Sequence, residues 1–202
     1  MKRMPFFTAK TVNISINHFA PEAVPGQLAI DRSGFYAQSG KSGVFNAAPE
    51  LGAVWPGQGG FNGGLVAARD DVKAHYLIVA AKDAGDHEWG GRGIEVKGLS
   101  KTDGYTNTQV LIGNDDERKY PAADACAEYQ ADGQHDFYLP AAAELYHCWL
   151  NVPELFAKDT WYWSSSQRSA YYAFTMYFDD GDQGFYGKSV ELRVRPVRRL
   201  FI

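Results

Sequence analysis

At 202 residues the chain is long enough to bury one sizeable core, with room for a smaller appendage. Its 20 basic and 24 acidic side chains give a net charge of -4, which removes electrostatic support for nonspecific nucleic-acid binding. No run of about 18 apolar residues is present to span a bilayer as a helix, and 21 glycines beside 14% aromatics suit short strands and turns better than a helical bundle.

The opening Met1-Lys-Arg-Met-Pro5 leads into no apolar stretch of signal-peptide length, so synthesis in a cytoplasm is expected. Residues 10–19 alternate, with Val12, Ile14 and Ile16 on one face and Asn13, Ser15 and Asn17 on the other, which predicts a strand with one buried side. Val24-Pro-Gly-Gln-Leu-Ala-Ile-Asp31, Gly34-Phe-Tyr36 and a Gly-Lys-Ser-Gly turn at 40–43 predict further short strands broken by Pro and Gly. This β-rich segment, residues 1–50, has too little apolar material to fold alone. It is expected to pack on a partner chain or on the larger domain of residues 51–202.

Trp55-Pro-Gly-Gln-Gly-Gly-Phe-Asn-Gly-Gly64 invites a nucleotide-binding reading that fails. A GxGxxG pattern starting at Gly57 and Gly59 places its third glycine on Asn62, and no Lys-Ser/Thr follows. A turn leading into a strand over 64–68 is predicted instead. The apolar run at 75–81 predicts a strand central to a sheet. Residues 83–105 read as loop with Trp89 as an anchor, 107–113 as a short helix, and 121–131 as a second helix with Pro121 early in it. A short strand at 136–140 then meets a helix over 141–150, with Pro140 suited to its first turn and Ala142, Leu145 and Trp149 as its core stripe. From Trp161 onward the pattern is β: a strand at 161–164, a hairpin over 171–187 and a last strand at 189–195.

The chemistry-bearing residues form no catalytic constellation. Cys126 and Cys148 lie in helical segments without CxxC or His/Cys spacing, which favours buried free thiols over a disulfide and argues against zinc. His18, His75, His87, His135 and His147 form neither HExxH nor a facial-triad spacing, so surface or hydrogen-bonded roles are expected. Ser164, Ser165 and Ser166 lack a Gly-x-Ser-x-Gly elbow and no His follows them, which favours structural hydrogen bonding. Arg193, Arg195, Arg198 and Arg199 are expected at a solvated strand edge, or paired with Glu191 and nearby Asp residues, ahead of a phosphate site. Trp149, Trp161, Trp163 and Tyr138 are expected in the core. Asp179, Asp180 and Asp182 could in principle hold a hard cation. They lack EF-hand spacing and its distal Glu, and Asp-Gly favours a tight turn.

Several short stretches follow one another in an order that carries a resemblance. They are Trp55-Pro-Gly-Gln-Gly-Gly60, His75-Tyr-Leu-Ile78, Phe137-Tyr-Leu-Pro140 with Glu144-Leu145, and Tyr162-Trp-Ser-Ser165. Ala173-Phe174 with Phe178, and Lys188 before Val194-Arg-Pro-Val-Arg198, complete the series. Together they resemble the C-type-lectin-like domain of phage tail and bacterial adhesin proteins, over residues 52–200. Relatives of that domain include the C-terminal domain of collagen-like adhesins, the formylglycine-generating-enzyme fold and phage tropism determinants. The Val24–Tyr36 region also looks like a segment common near the start of phage tail fibres.

The resemblance implies an α+β fold: two helices beside a twisted, mostly antiparallel sheet, preceded by the small β-rich segment. It makes Phe174 and Phe178 buried, so that strand parity turns Thr175, Tyr177 and Asp179 outward. It also implies that ligand contacts cluster on the hairpin, at Arg168, Tyr171, Tyr172, Thr175, Tyr177, Asp179, Asp180, Asp182, Gln183 and Tyr186. The implied function is that of a tail-fibre or tail-tip receptor-binding protein of a virion, most simply a homotrimer. It would hold a host-surface glycan or protein noncovalently, with residues 1–50 joining other tail proteins. Neither catalysis, cofactor, metal nor membrane insertion is expected. No cysteine lies beyond Cys148, so the chemistry of formylglycine-generating enzymes does not carry over. Nor does calcium-dependent sugar binding, because Glu-Pro-Asn and Trp-Asn-Asp tripeptides are absent. The alternatives are a structural virion protein that uses the same face for assembly, and a polysaccharide-degrading tail enzyme. The enzyme would need two carboxylates about 5–9.5 Å apart in a cleft.

Overall fold

In the computed structural model, which describes residues 48–70, 72–113 and 119–202, two sheets share the chain between them. Strands β1 (Val54–Trp55), β2 (Gly60–Val66) and β3 (His75–Ala80) form an antiparallel sheet that is completed by the C-terminal strand β9 (Val197–Phe201), in the order β1-β2-β3-β9. The second sheet has five strands in the order β4-β8-β5-β6-β7. These are β4 (Gly85–Glu88), β5 (Trp161–Gln167), β6 (Tyr172–Tyr177), β7 (Gln183–Gly187) and β8 (Glu191–Val194), with only β5 and β8 parallel. Helices α1 (Gly104–Ile112), α2 (Pro121–Ala127) and α3 (Ala142–Asn151) lie between β4 and β5 in sequence. Among the described residues no helix is long and apolar enough to cross a membrane.

Among the described residues the class is α+β, as expected; the three helices match the three read along the chain, one more than the resemblance implied, and there are two sheets rather than one. The break between sheets falls at Pro196. Proline has no N–H for a ladder, and here its carbonyl takes the Ala80 N–H at 2.9 Å while Arg195 Nε donates to Ala80 O at 2.9 Å. The last strand predicted over 189–195 corresponds to β8, and a further strand beyond it, β9, was not expected. The strands expected within residues 1–47 lie outside the described residues.

Other boundaries move for local reasons. Strand β2 begins inside the glycine-rich run and ends at Val66, rather than spanning 64–68. Its close approach to β3 requires this composition, since a Cβ on Gly60 would collide with Val79 O. The segment read as loop contains β4, held by pairing with β8, and Trp89 is the buried anchor expected of it: its indole N–H donates to Ser164 O at 2.9 Å. Helix α2 stops at Ala127, because Ala131 and Gln134 close a separate turn across Asp132 and Gly133, both at positive φ. Around residues 136–140 the only ladder contact is the single bridge Tyr138↔Val197.

The central strand β5 of the five-stranded sheet is covered on both faces. Tyr162 joins one core with Leu77, Leu145, Met176 and Phe178; its neighbour Trp163 joins another with Trp89, Leu111, Leu139 and Ala173. Cys148 lies in the first core and Cys126 in the second, so the two are buried free thiols that do not meet. Burial pushes both thiol pKa values up. On α3 the buried side chains are Glu144, Leu145 and Cys148, while Ala142 and Trp149 are half-buried, so the stripe is narrower than predicted and includes a carboxylate.

The C-terminal arginines are paired, but not as predicted. Arg193 and Arg195 share Asp83, Arg193 also meets Asp86, Arg198 meets Asp136, and Arg199 meets Asp103 and Glu144. None of these partners is Glu191, and Arg195, Arg198 and Arg199 are buried rather than solvated. The carboxylates come from segments 55 to 112 residues away in sequence.

Lys188 is also fully buried. Its Nζ donates to Ile94 O at 2.8 Å and to Gln167 Oε1 at 2.6 Å, and lies 4.3 Å from the centre of the Trp89 ring. Burial lowers its pKa from the ordinary 10.5 to about 8, with the Glu95 charge opposing. Between those values the unfolded chain keeps a proton that the native chain has lost, so stability from this group rises with pH across that window. The expected result is that the stability of the wild type relative to Lys188→Met increases from about pH 8 to about pH 10, as read by urea unfolding at each pH.

Candidate functional site

Strands β6 and β7 make a hairpin at one edge of the five-stranded sheet, in register from Tyr172↔Gly187 to Met176↔Gln183. The acidic run closes it as a turn. Tyr177 N–H donates to Asp182 O at 2.9 Å, Gly181 N–H to Tyr177 O at 3.1 Å, and Asp182 N–H to Asp180 Oδ1 at 3.0 Å. Gly181 has φ +85° and sits directly on Trp149, so a Cβ there would collide with the indole. Trp149, expected in the core, is thus a half-buried shelf for the hairpin tip.

The pleat sends the hairpin's aromatic rings to two faces. On one, Tyr172 and Phe185 are 44% and 45% exposed and meet edge to face with centroids 5.5 Å apart. The Arg168 guanidinium stands 4.0 Å from the centre of the Phe185 ring. On the other face the half-buried Trp161 lies 5.2 Å from Tyr177 and 5.4 Å from Tyr186. At the start of the hairpin Tyr171 is 53% exposed, with the Arg92 guanidinium 5.7 Å from its centroid.

Of the ten residues predicted to contact ligand, Arg168 and Tyr172 are brought together around Phe185. Tyr171 lies beside them in sequence and meets Arg92; Tyr177 and Tyr186 gather on the opposite face. Asp179, Asp180, Asp182 and Gln183 are exposed at the tip. Thr175 does not belong to the site: it is buried, and its hydroxyl finds no hydrogen-bond partner among protein groups. Phe174 is only half-buried, under Lys101. Parity failed at Thr175 because that face of β6 is also packed, and at Phe174 because it shares the partly open face of Tyr172 and Phe185.

Three contributors escaped the sequence reading. Phe185 lies opposite Phe174, a register that only the structure gives. Arg92 comes from a segment with no regular pattern, and Trp161 has a composition indistinguishable from that of a core residue.

Removing the orphan hydroxyl tests the correction at Thr175. Thr175→Val keeps the shape and abolishes an unsatisfied buried donor, so it is expected to stabilise the fold by about 1 kcal/mol in urea unfolding. Ligand binding by the hairpin should not change.

The remaining polar candidates are structural. Ser164 Oγ donates to Phe174 O at 2.9 Å, Ser165 Oγ accepts from Asn107 Nδ2 at 3.0 Å, and Ser166 Oγ donates to Ser100 O at 2.9 Å. The ring N–H groups of His75, His87 and His147 donate to the carbonyls of Lys73, Ala84 and Gly63. Among the described residues no group of three or more His, Cys, Asp or Glu side chains is placed to hold a metal ion. What the hairpin can do chemically is bind: stacked rings supply rigid contact area, guanidinium groups supply forked donors, and the tip supplies carboxylate acceptors. No family model matches the chain, and no curated protein matches it.

Proposed function

We propose that the chain is a receptor-binding protein of a phage tail, in which a C-type-lectin-like domain over residues 51–202 holds a host-surface glycan or protein noncovalently on the β6–β7 hairpin. The observation that carries this reading is the Arg168–Phe185–Tyr172 cluster, two large rings and a guanidinium left open on a rigid edge hairpin. Aromatic and arginine side chains dominate binding energy where they are presented on rigid elements. Support also comes from the ordered motif series, many of whose members are core residues: Phe137, Tyr138, Leu139, Tyr162, Trp163, Phe178, Lys188 and Val194 are all buried.

In this reading residues 1–50 attach the protein to other tail components and the protein is a trimer. Shallow single sites then gain strength through simultaneous engagement. The process is binding only, with no bond made or broken.

The test is binding of labelled protein to a panel of bacterial strains, beside two folded variants. Selective binding is expected for the wild type, lost in Tyr172→Ala/Phe185→Ala and retained in part in Tyr177→Ala/Asp182→Ala. A folded oligomer that binds no strain would overturn the reading in favour of an assembly role. Release of sugar from host polysaccharide would overturn it in favour of an enzyme.

A further inference from the structure

The open face of the β6–β7 hairpin carries two positive charges from outside the hairpin. Phe174 lies opposite Phe185 in the register, and Tyr172 is two residues from Phe174 on the same strand, so the three rings share one face of the pleat. Two cations stand over that face. The Arg168 guanidinium is 4.0 Å from the centre of the Phe185 ring, and Lys101 Nζ is 5.2 Å from the centre of the Phe174 ring. Both side chains are exposed. At the start of the hairpin the exposed Arg92 adds a third cation, beside Tyr171.

Rings, not carboxylates, hold these cations. Among the described residues none of the three side chains has an ion pair, and no protein acceptor takes their N–H groups. Arg193, Arg195, Arg198 and Arg199 differ, since each meets at least one carboxylate. The acidic groups nearby in sequence do not neutralise the face. Asp103, two residues from Lys101, is taken by Arg199 and by the Thr106 hydroxyl. Glu95 lies between Arg92 and Lys97, so segment 92–97 is net positive. The tip carboxylates lie past Met176 and Gln183, at the other end of the ladder from Tyr172.

Three properties of the face set the class of ligand. Its open donors are cationic, which selects an anion, and a guanidinium presents a fork suited to carboxylate or phosphate oxygens. Tyr172 and Phe185 offer flat apolar surface that fits the C–H face of a sugar ring. The backbone of β6 is committed to β5 on one side and β7 on the other, so the face presents side chains only. An extended peptide takes much of its affinity from main-chain bonds to a free strand edge, which this face does not supply. A glycan requires none.

Resting on the reading that the hairpin holds a host receptor, we infer that this receptor is an acidic polysaccharide. Its carboxylate or phosphate groups bond to Arg168 and Lys101, and a sugar ring lies on Tyr172 and Phe185.

The test uses a strain to which the full chain attaches and the polysaccharide extracted from its surface. Affinity is measured for the extract as isolated, after reduction of its carboxyl groups to alcohols, after removal of its phosphates, and after protease digestion. One of the first two treatments is expected to abolish binding, and which one identifies the anion; protease should change nothing. Binding to the untreated extract should weaken as sodium chloride is raised. Lys101→Gln should weaken it about fivefold, whereas Lys82→Gln, an exposed lysine ahead of β4 at the opposite edge of the sheet, should not. Attachment to no strain overturns the receptor-binding reading and this inference with it. Binding that survives both chemical treatments, that is lost to protease, or that responds equally to Lys101→Gln and Lys82→Gln overturns this inference alone.

Discussion

Glu144→Ala is expected to lower the free energy of unfolding by about 3–5 kcal/mol, more than the loss of any hairpin side chain. Glu144 is buried near the start of α3 and receives four donors besides the second contact of Arg199 with Asp103. Tyr138 OH and Arg199 Nη2 donate to Oε1, at 2.8 and 2.9 Å; the N–H groups of Ala141 and Gly104 donate to Oε2, at 2.8 and 3.1 Å. The N-cap of α3 is Ala141, whose side chain accepts nothing, so the glutamate at the third helical position is the side chain that satisfies its N–H. Alanine would leave the buried guanidinium with Asp103 as its one carboxylate and strand a tyrosine hydroxyl and two helix-terminal N–H groups. Glu144→Gln keeps an acceptor and should cost less. Urea unfolding of the three proteins side by side checks both statements.

The second large effect is on binding. Arg168→Ala/Phe185→Ala is expected to weaken attachment to a susceptible host about 100-fold, because it removes both members of the 4.0 Å guanidinium–ring contact and half of the Tyr172 pair. Stability should change by less than about 1 kcal/mol, since Arg168 is exposed and Phe185 is 45% exposed. Affinity measured on cells, with unfolding curves on the same preparations, distinguishes loss of contact from loss of fold.

Much of the frame was legible in the sequence because it depends on local pattern. The continuous apolar run predicted the central strand β3, Pro121 predicted the start of α2, and the absence of a nucleophile elbow predicted structural serines, as the bonds of Ser164, Ser165 and Ser166 show. What escaped depends on partners remote in sequence. Alternation along β6 could not separate inside from outside, because Met176 and Ala173 are buried in different cores on opposite faces. The arginine pattern near the C-terminus showed charge but not burial, since the matching carboxylates lie between Asp83 and Glu144. Trp149 and Trp161 looked like core residues because composition does not reveal that a hairpin rests on them.

Residue types at 168–186 pointed to a recognition surface, and the register sorted them into two aromatic faces and an acidic tip. The sequence alone had no means of excluding Thr175 or of adding Arg92 and Phe185.

Hydrogen exchange of the full chain, bound and unbound to cell-surface extract from a susceptible host, addresses the central claim most directly. Binding through the hairpin predicts slowed exchange of backbone amides across β6, β7 and their turn, residues 172–187, with α1 and α2 unchanged. Protection confined to other elements, or none in a sample that demonstrably binds, would contradict it.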